Sequence, residues 1–174
     1  WHPDLGEVPR WATPGTVAMV EADRDRVVAP LRRDLPDDLV DVAARDLRPI
    51  DGELLEWTGP TAVVHVHHAH APHHLALELP DLGLLVSGDM LSDVELPMPD
   101  RDDVDLTTYR TGLESLTDVV RRSRLQVPGH GSVGADPARR HAADLRYLDD
   151  LEARGGSDDP RTALDGMADL HAAN

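Results

Sequence analysis

The amino-acid sequence predicts one domain, residues 1–174, of the α+β class, and three observations carry that prediction. Three short apolar runs, 62–68, 74–79 and 84–87, follow one another with turn residues between them. Two later stretches, 106–124 and 136–155, repeat apolar residues at the three- and four-residue intervals of a helix with one buried face. A chain of 174 residues with 40% hydrophobic content is long enough to bury one core.

Taken in order, Trp1 to Ala12 opens with His2-Pro3-Asp4 and places Leu5, Val8 and Trp11 near helical spacing. Thr13-Pro14-Gly15 reads as a turn into a strand at 16–20. Residues 21–33 read as a helix with Val27, Val28 and Leu31 on its apolar side and a bend at Pro30. The Asp-rich stretch 34–48 has no clear register. A turn at 49–52 precedes a short strand, 53–57, that ends at Thr58-Gly59-Pro60.

From Ala62 to His68 the pattern alternates, which puts Val63, His65 and His67 on one face and Val64, Val66 and His68 on the other. A loop at 69–72 leads into a strand at 74–79 with Leu75, Leu77 and Leu79 to one side. Pro80 to Gly83 turns the chain into the continuous apolar run 84–87, suited to a buried strand. Gly88 permits a sharp turn there, so the Asp89 carboxylate can swing into a cleft, and the proline- and carboxylate-rich segment 90–105 loops over it.

Helix 106–124 carries Tyr109, Leu113, Leu116 and Val120 in one stripe. A short strand, 125–127, ends in the turn Pro128-Gly129-His130-Gly131, which exposes one imidazole. Asp136 as N-cap and Pro137 at the first helical position start a helix that stops at Gly155-Gly156. A last short helix spans 162–171.

Charge and composition exclude several functions. With 33 acidic against 17 basic residues the formal charge is −16, and every basic residue is arginine. Such a field repels nucleic acids and anionic membranes, which leaves a small-molecule substrate as the expected partner. No stretch has the length of a membrane span, and a cytoplasmic location is expected. The absence of cysteine rules out disulfides and thiolate ligands, leaving nitrogen and oxygen donors for any metal.

Six of the ten histidines fall between residues 65 and 74. Neutral imidazole is the commonest protein metal ligand, so this cluster, joined by the Asp89 carboxylate and by His130, suits a divalent cation. A solvent-facing run or a set of satisfied core histidines would give the same local pattern.

Three motifs in order resemble those of the metallo-β-lactamase-fold hydrolases. His70-Ala71-Pro72-His73-His74 is similar to the family's His-Thr-Pro-Gly-His/Ser turn, Leu85-Val86-Ser87-Gly88-Asp89 to its Gly-Asp strand end about twenty residues on, and Pro128-Gly129-His130-Gly131 to its late Pro-Gly-His-Gly turn. Trp1-His2-Pro3-Asp4 resembles the middle of the family's His-x-His-x-Asp-His signature. Its first histidine would precede Trp1, and Leu5 stands where its last is expected.

The resemblance implies a four-layer αββα sandwich and a centre of two divalent ions, zinc first, with manganese or iron admitted by the same donors. His2 and His70 would serve the first ion, Asp4 and His130 the second, and Asp89 both, with Asp4 and Asp89 as the catalytic carboxylates. It further implies a metal-activated water that hydrolyses a small ester, thioester, lactone or amide. The chain then reads as an amino-terminally truncated member lacking the first strands of its amino-terminal half. The competing reading is a metal-binding but catalytically impaired member, because two motif histidines are absent.

Other polar residues receive lesser roles. His65, His67 and His68 match no family ligand and are read as structural or as orienting a liganding imidazole. His73 stands where glycine is usual, and His74 falls at a variable position. Asp93 and Glu95 are read as solvated loop carboxylates with substrate contact as the alternative, and His141 and His171 as helix packing or surface residues.

Overall fold

Strands and helices are both present, as the α+β class requires, in a computed structural model that describes residues 8–33, 35–99 and 104–174. They fall into two units, residues 1–52 and residues 53–174.

In the first unit, β1 (Arg10–Ala12) pairs in parallel with β2 (Leu47–Pro49). Between them run α1 (Pro14–Val28), a 3-10 turn (Ala29–Arg33) and α2 (Asp37–Val42). The strand expected at 16–20 is instead the start of α1. Thr13 accepts the Thr16 N–H at 3.2 Å and Pro14 occupies the first turn, so an N-cap followed by proline outweighs the β-branched Thr16 and Val17. Pro30 ends the α-helical hydrogen bonding where a bend was expected. The Arg24 guanidinium donates to the carbonyls of Val40, Asp41 and Ala43, satisfying the orphan end of α2.

The second unit begins with backbone that only brushes a strand. The expected strand 53–57 reduces to an isolated bridge between Leu54 and Val63, because the Trp57 indole folds back to donate to the Pro60 carbonyl at 2.8 Å. The main sheet follows, in the order β3 (Val63–His67), β4 (His74–Leu79), β5 (Leu84–Gly88), β6 (Leu125–Pro128). The first two pairings are antiparallel and β5 to β6 is parallel.

A parallel pair needs a long crossover. Here it contains α3 (Leu106–Ser115) and α4 (Thr117–Arg122), and α5 (Pro137–Arg154) and α6 (Met167–Ala173) follow β6. The single helix expected over 106–124 breaks at the buried Leu116. The Ser115 and Thr117 hydroxyls there donate to the carbonyls of Gly112 and Glu114 at 2.6 Å each, drawing them away from the helical ladder.

One sheet face supplies Ala76 and Leu85, both fully buried, to a core completed by Tyr109, Leu113, Val120 and Tyr147 from the helices. This packing aims the ends of β5 and β6 in the same direction, which places Asp89 beside the turn that holds His130. Among the described residues no helix is long and apolar enough to cross a membrane.

Candidate metal centre

Asp89 follows the last residue of β5 and His130 the parallel end of β6, so the sheet register sets one beside the other. The path is sterically narrow. Gly129 donates its N–H to the Gly88 carbonyl at 2.8 Å, and a Cβ on Gly129 would overlap Asp89 Oδ1. Gly88 has φ 57°, and a Cβ there would meet the His74 ring at 2.5 Å. Both glycines are thus required by the space the Asp89 carboxylate and its neighbours occupy.

The two carboxylate oxygens of Asp89 each face one imidazole. His70 Nε2 stands 3.6 Å from Oδ2, and His130 Nε2 stands 3.6 Å from Oδ1. The far side of His70 is fixed, since its Nδ1 lies 2.7 Å from the Met98 carbonyl, which can only accept. Nδ1 therefore carries a proton, and whenever Nε2 carries none, its lone pair faces a carboxylate oxygen. Two acceptors held face to face repel unless a cation or a proton sits between them.

The spacing suits a metal. Two donors each ~2.0–2.1 Å from a tetrahedral ion stand ~3.4 Å apart, close to the 3.6 Å found on both sides of Asp89. Each side so far offers one nitrogen and one oxygen. Among the described residues no group of three or more His, Cys, Asp or Glu side chains could hold a metal ion. His2 and Asp4, expected as further ligands, lie outside the described residues, as does Leu5.

Around this pair the remaining histidines have separate tasks. His74 Nε2 accepts the Asp89 N–H at 3.4 Å, and its Nδ1 lies 3.2 Å from His67 Nε2. Burial, with His74 beside it, lowers the His67 pKa to about 3, and burial, with His70, lowers that of His74 to about 4. Both rings are therefore neutral supports behind Asp89. His65 instead bonds Glu78 at 2.8 Å, and Arg122 grips both oxygens of that carboxylate at 2.6 Å. The Arg122 bonds hold the Glu78 carboxyl below its usual range. His68 accepts the His73 N–H at 3.1 Å. Far from the centre, His141 donates to the Leu113 carbonyl at 2.8 Å, and His171 meets the Tyr147 hydroxyl at 3.1 Å.

The loop carboxylates are engaged too. Glu95 Oε1 lies 3.6 Å from His130 Nδ1, so the ring sits between two carboxylates. Asp93 accepts the Ser132 N–H at 2.8 Å and pairs with Arg140 at 3.3 Å. Those contacts, the Ser132 N–H first, depress its pKa.

Sequence reasoning missed the cations behind these loops. Arg140 donates to the Ser132 carbonyl at 2.8 Å and to that of Leu91 at 3.4 Å, joining the loop of Asp89 to the turn of His130. Arg161 donates to the carbonyls of Ser92 and Glu95 at 3.0 and 2.8 Å. Neither arginine stands in a motif, and their partners lie far away in the chain, so no local pattern could have shown them.

No curated protein matches the chain. Among solved structures it is similar to a metallo-beta-lactamase family protein from Thermus thermophilus, with 22% identity and a TM-score of 0.54, covering 84% of this chain and 55% of that one. A beta-lactamase domain protein from Burkholderia ambifaria gives 25% identity and a TM-score of 0.59, with 84% and 48% covered. A metallo-beta-lactamase from Pontibacter korlensis gives 16% and 0.58, with 84% and 60% covered. The chain thus spans about half to three-fifths of the length of each. The model of the metallo-beta-lactamase superfamily matches residues 2–154, nearly the whole chain, and the protein belongs to that superfamily.

Proposed function

We propose that the chain, as one functional domain over 1–174, is a metal-dependent hydrolase whose substrate is a small ester, thioester, lactone or amide. Members of the superfamily are generally metal-dependent hydrolases. The observation that carries the proposal for this chain is the Asp89 carboxylate with one imidazole facing each of its oxygens at 3.6 Å. In this reading His70 and His130 would each help to hold one of two divalent ions, zinc in the first place, with Asp89 available to both and His2 and Asp4 as further donors, one histidine short of the family's set at each position. When bound, such ions lower the pKa of a water from ~15.7 toward ~7 and polarise the bond to be cleaved.

The chain's own residues do the rest. The Met98 carbonyl holds the His70 tautomer, His74 holds the Asp89 backbone, and Glu95 keeps the His130 ring between two carboxylates. The net charge of −16 supports a small substrate over a nucleic acid. A second reading, a metal-binding chain without turnover, is favoured by the lack of a third donor on either side of Asp89 among the described residues.

Metal content of the purified chain, measured with hydrolysis of thioester, lactone, β-lactam and phosphodiester substrates, separates the two. Two ions per chain and turnover that disappears in Asp89→Asn and His130→Ala are the expected results. One ion or none, with no turnover on any substrate, would leave only the second reading.

A further inference from the structure

We propose that Arg161 is the positioning residue for the His130 side of the centre: it clamps the turn 92–95, and that turn sets the His130 imidazole. The inference rests on the reading of His130 as a metal-binding residue. It carries that site past the matched family segment, which ends at residue 154, to a side chain in the 3-10 turn Pro160–Ala163.

The turn is held through both its donors and its acceptors. The Ser92 hydroxyl accepts the N–H groups of Val94 and Glu95 at 3.1 and 2.9 Å, while Arg161 Nη1 donates to the carbonyls of Ser92 and Glu95 at 3.0 and 2.8 Å. Two side chains thus close the backbone of the turn. From it Asp93 accepts the Ser132 N–H at 2.8 Å, and Glu95 Oε1 lies 3.6 Å from His130 Nδ1. Both contacts land on the segment that carries His130.

Arg161 is itself fixed in place. Asp159 accepts from Nε at 3.0 Å and from Nη2 at 2.9 Å, one bond on each carboxylate oxygen, and the buried Asp144 of α5 accepts from Nη1 at 2.7 Å. The two-pronged bond to Asp159 sets the guanidinium plane, and that plane aims Nη1 at the two carbonyls. A lysine keeps the charge beside Asp144, but its single ammonium lacks the planar fork that meets two carboxylates and two carbonyls together. Only arginine fits the whole set.

The His70 side is tied separately. The Leu96 N–H donates to Met167 Sδ at 3.4 Å, and the Asn174 amide donates to the Pro97 carbonyl at 3.0 Å, just ahead of the Met98 carbonyl that meets His70. Loss of the Arg161 fork should therefore reach His130 and spare His70.

The test follows the imidazole rings by nitrogen-15 NMR in the whole chain freed of metal by a chelator. It compares the parent with Arg161→Lys and with a double variant, Asp144→Leu and Arg161→Met, in which apolar side chains replace the buried pair and preserve the fold. In both, the His130 ring signals should shift or broaden while those of His70 and the distant His141 stay in place, with the fold checked by circular dichroism. Calorimetric titration with zinc should then show one of two ions bound about tenfold more weakly or worse, the usual effect of losing a support behind a ligand, and the other unchanged. Unmoved His130 signals in a folded variant, His70 signals displaced as far as those of His130, or zinc affinities equal to the parent's would each overturn the proposal. Loss of the fold in both variants would make Arg161 a structural residue and overturn it too. A parent chain that does not bind two zinc ions would count against the hydrolase reading alone, and the spectra of the metal-free chain would still decide the role of Arg161.

Discussion

His73 holds φ at 60°, in the left-handed region that side chains other than glycine occupy at a cost. By the sequence resemblance, glycine is usual at this position, and the chain holds the left-handed conformation with a histidine. His73→Gly should therefore raise the unfolding free energy by about 1 kcal/mol, measured by urea denaturation; an unchanged or lower midpoint would show that the imidazole compensates fully. Leu91, also at φ 60°, is held differently, since Gln126 and Arg140 both donate to its carbonyl. His67 and His74 set a pH dependence. Their folded pKa values, about 3 and about 4, lie under the ordinary 6.5, so the unfolded chain takes up protons that the folded chain refuses. The stability they contribute is complete above about pH 6.5 and falls as the pH drops toward about 4. Asp144, pushed up to about 6 by burial, acts in the opposite sense, but it is one group against two. In metal-free protein, the loss of stability between about pH 7 and about pH 5 should be smaller in His67→Gln than in the parent. An equal loss would remove His67 from the account. At this scale His70, Asp89 and His130 were legible in the sequence because each sits in a short motif with its own turn. The partner of His70, the Met98 carbonyl, was not legible, since any backbone carbonyl can serve and only the path of the loop selects this one.

Elements show why the strand block was legible and the rest only partly. The segments that became β3, β4 and β5 carry β-branched or leucine-rich runs bounded by turns, and they pair with their chain neighbours, so local pattern and tertiary contact agree. Residues 16–20 have the composition of a strand and form a helix because the deciding contact, the Thr13 cap, lies outside the run. The break at Leu116 was hidden for a related reason, as it depends on two hydroxyls turning back onto the helix. Between elements, Arg140 is the tie that sets the distance from the Asp89 loop to the His130 turn. Arg140→Gln takes a donor from the Ser132 carbonyl and the charge partner from Asp93, while the Leu91 carbonyl keeps Gln126. It should cost about 2 kcal/mol in urea denaturation. A variant with the parent's stability would show that the two loops are held by the sheet alone.

For the whole molecule, the core cluster from Ala69 to Leu148, with Met167 and Leu170 packed against it, lies entirely within residues 53–174. A fragment of residues 53–174 should therefore fold alone, with a cooperative unfolding transition by circular dichroism. A gradual, non-cooperative loss of signal would show that the first unit is needed for the second to fold. The parallel pairing of β5 with β6 has a consequence for the order of events as the chain acquires its structure. Strands β3 to β5 can zip together through short reversals, each closing a small loop quickly. β6 can dock only after the whole crossover from Met90 to Arg124 has collapsed over the sheet. His130 rides on the end of β6, so it reaches Asp89 at the close of that sequence. On the proposed function, the pairing of His130 with Asp89 then marks the completion of the long-range connection.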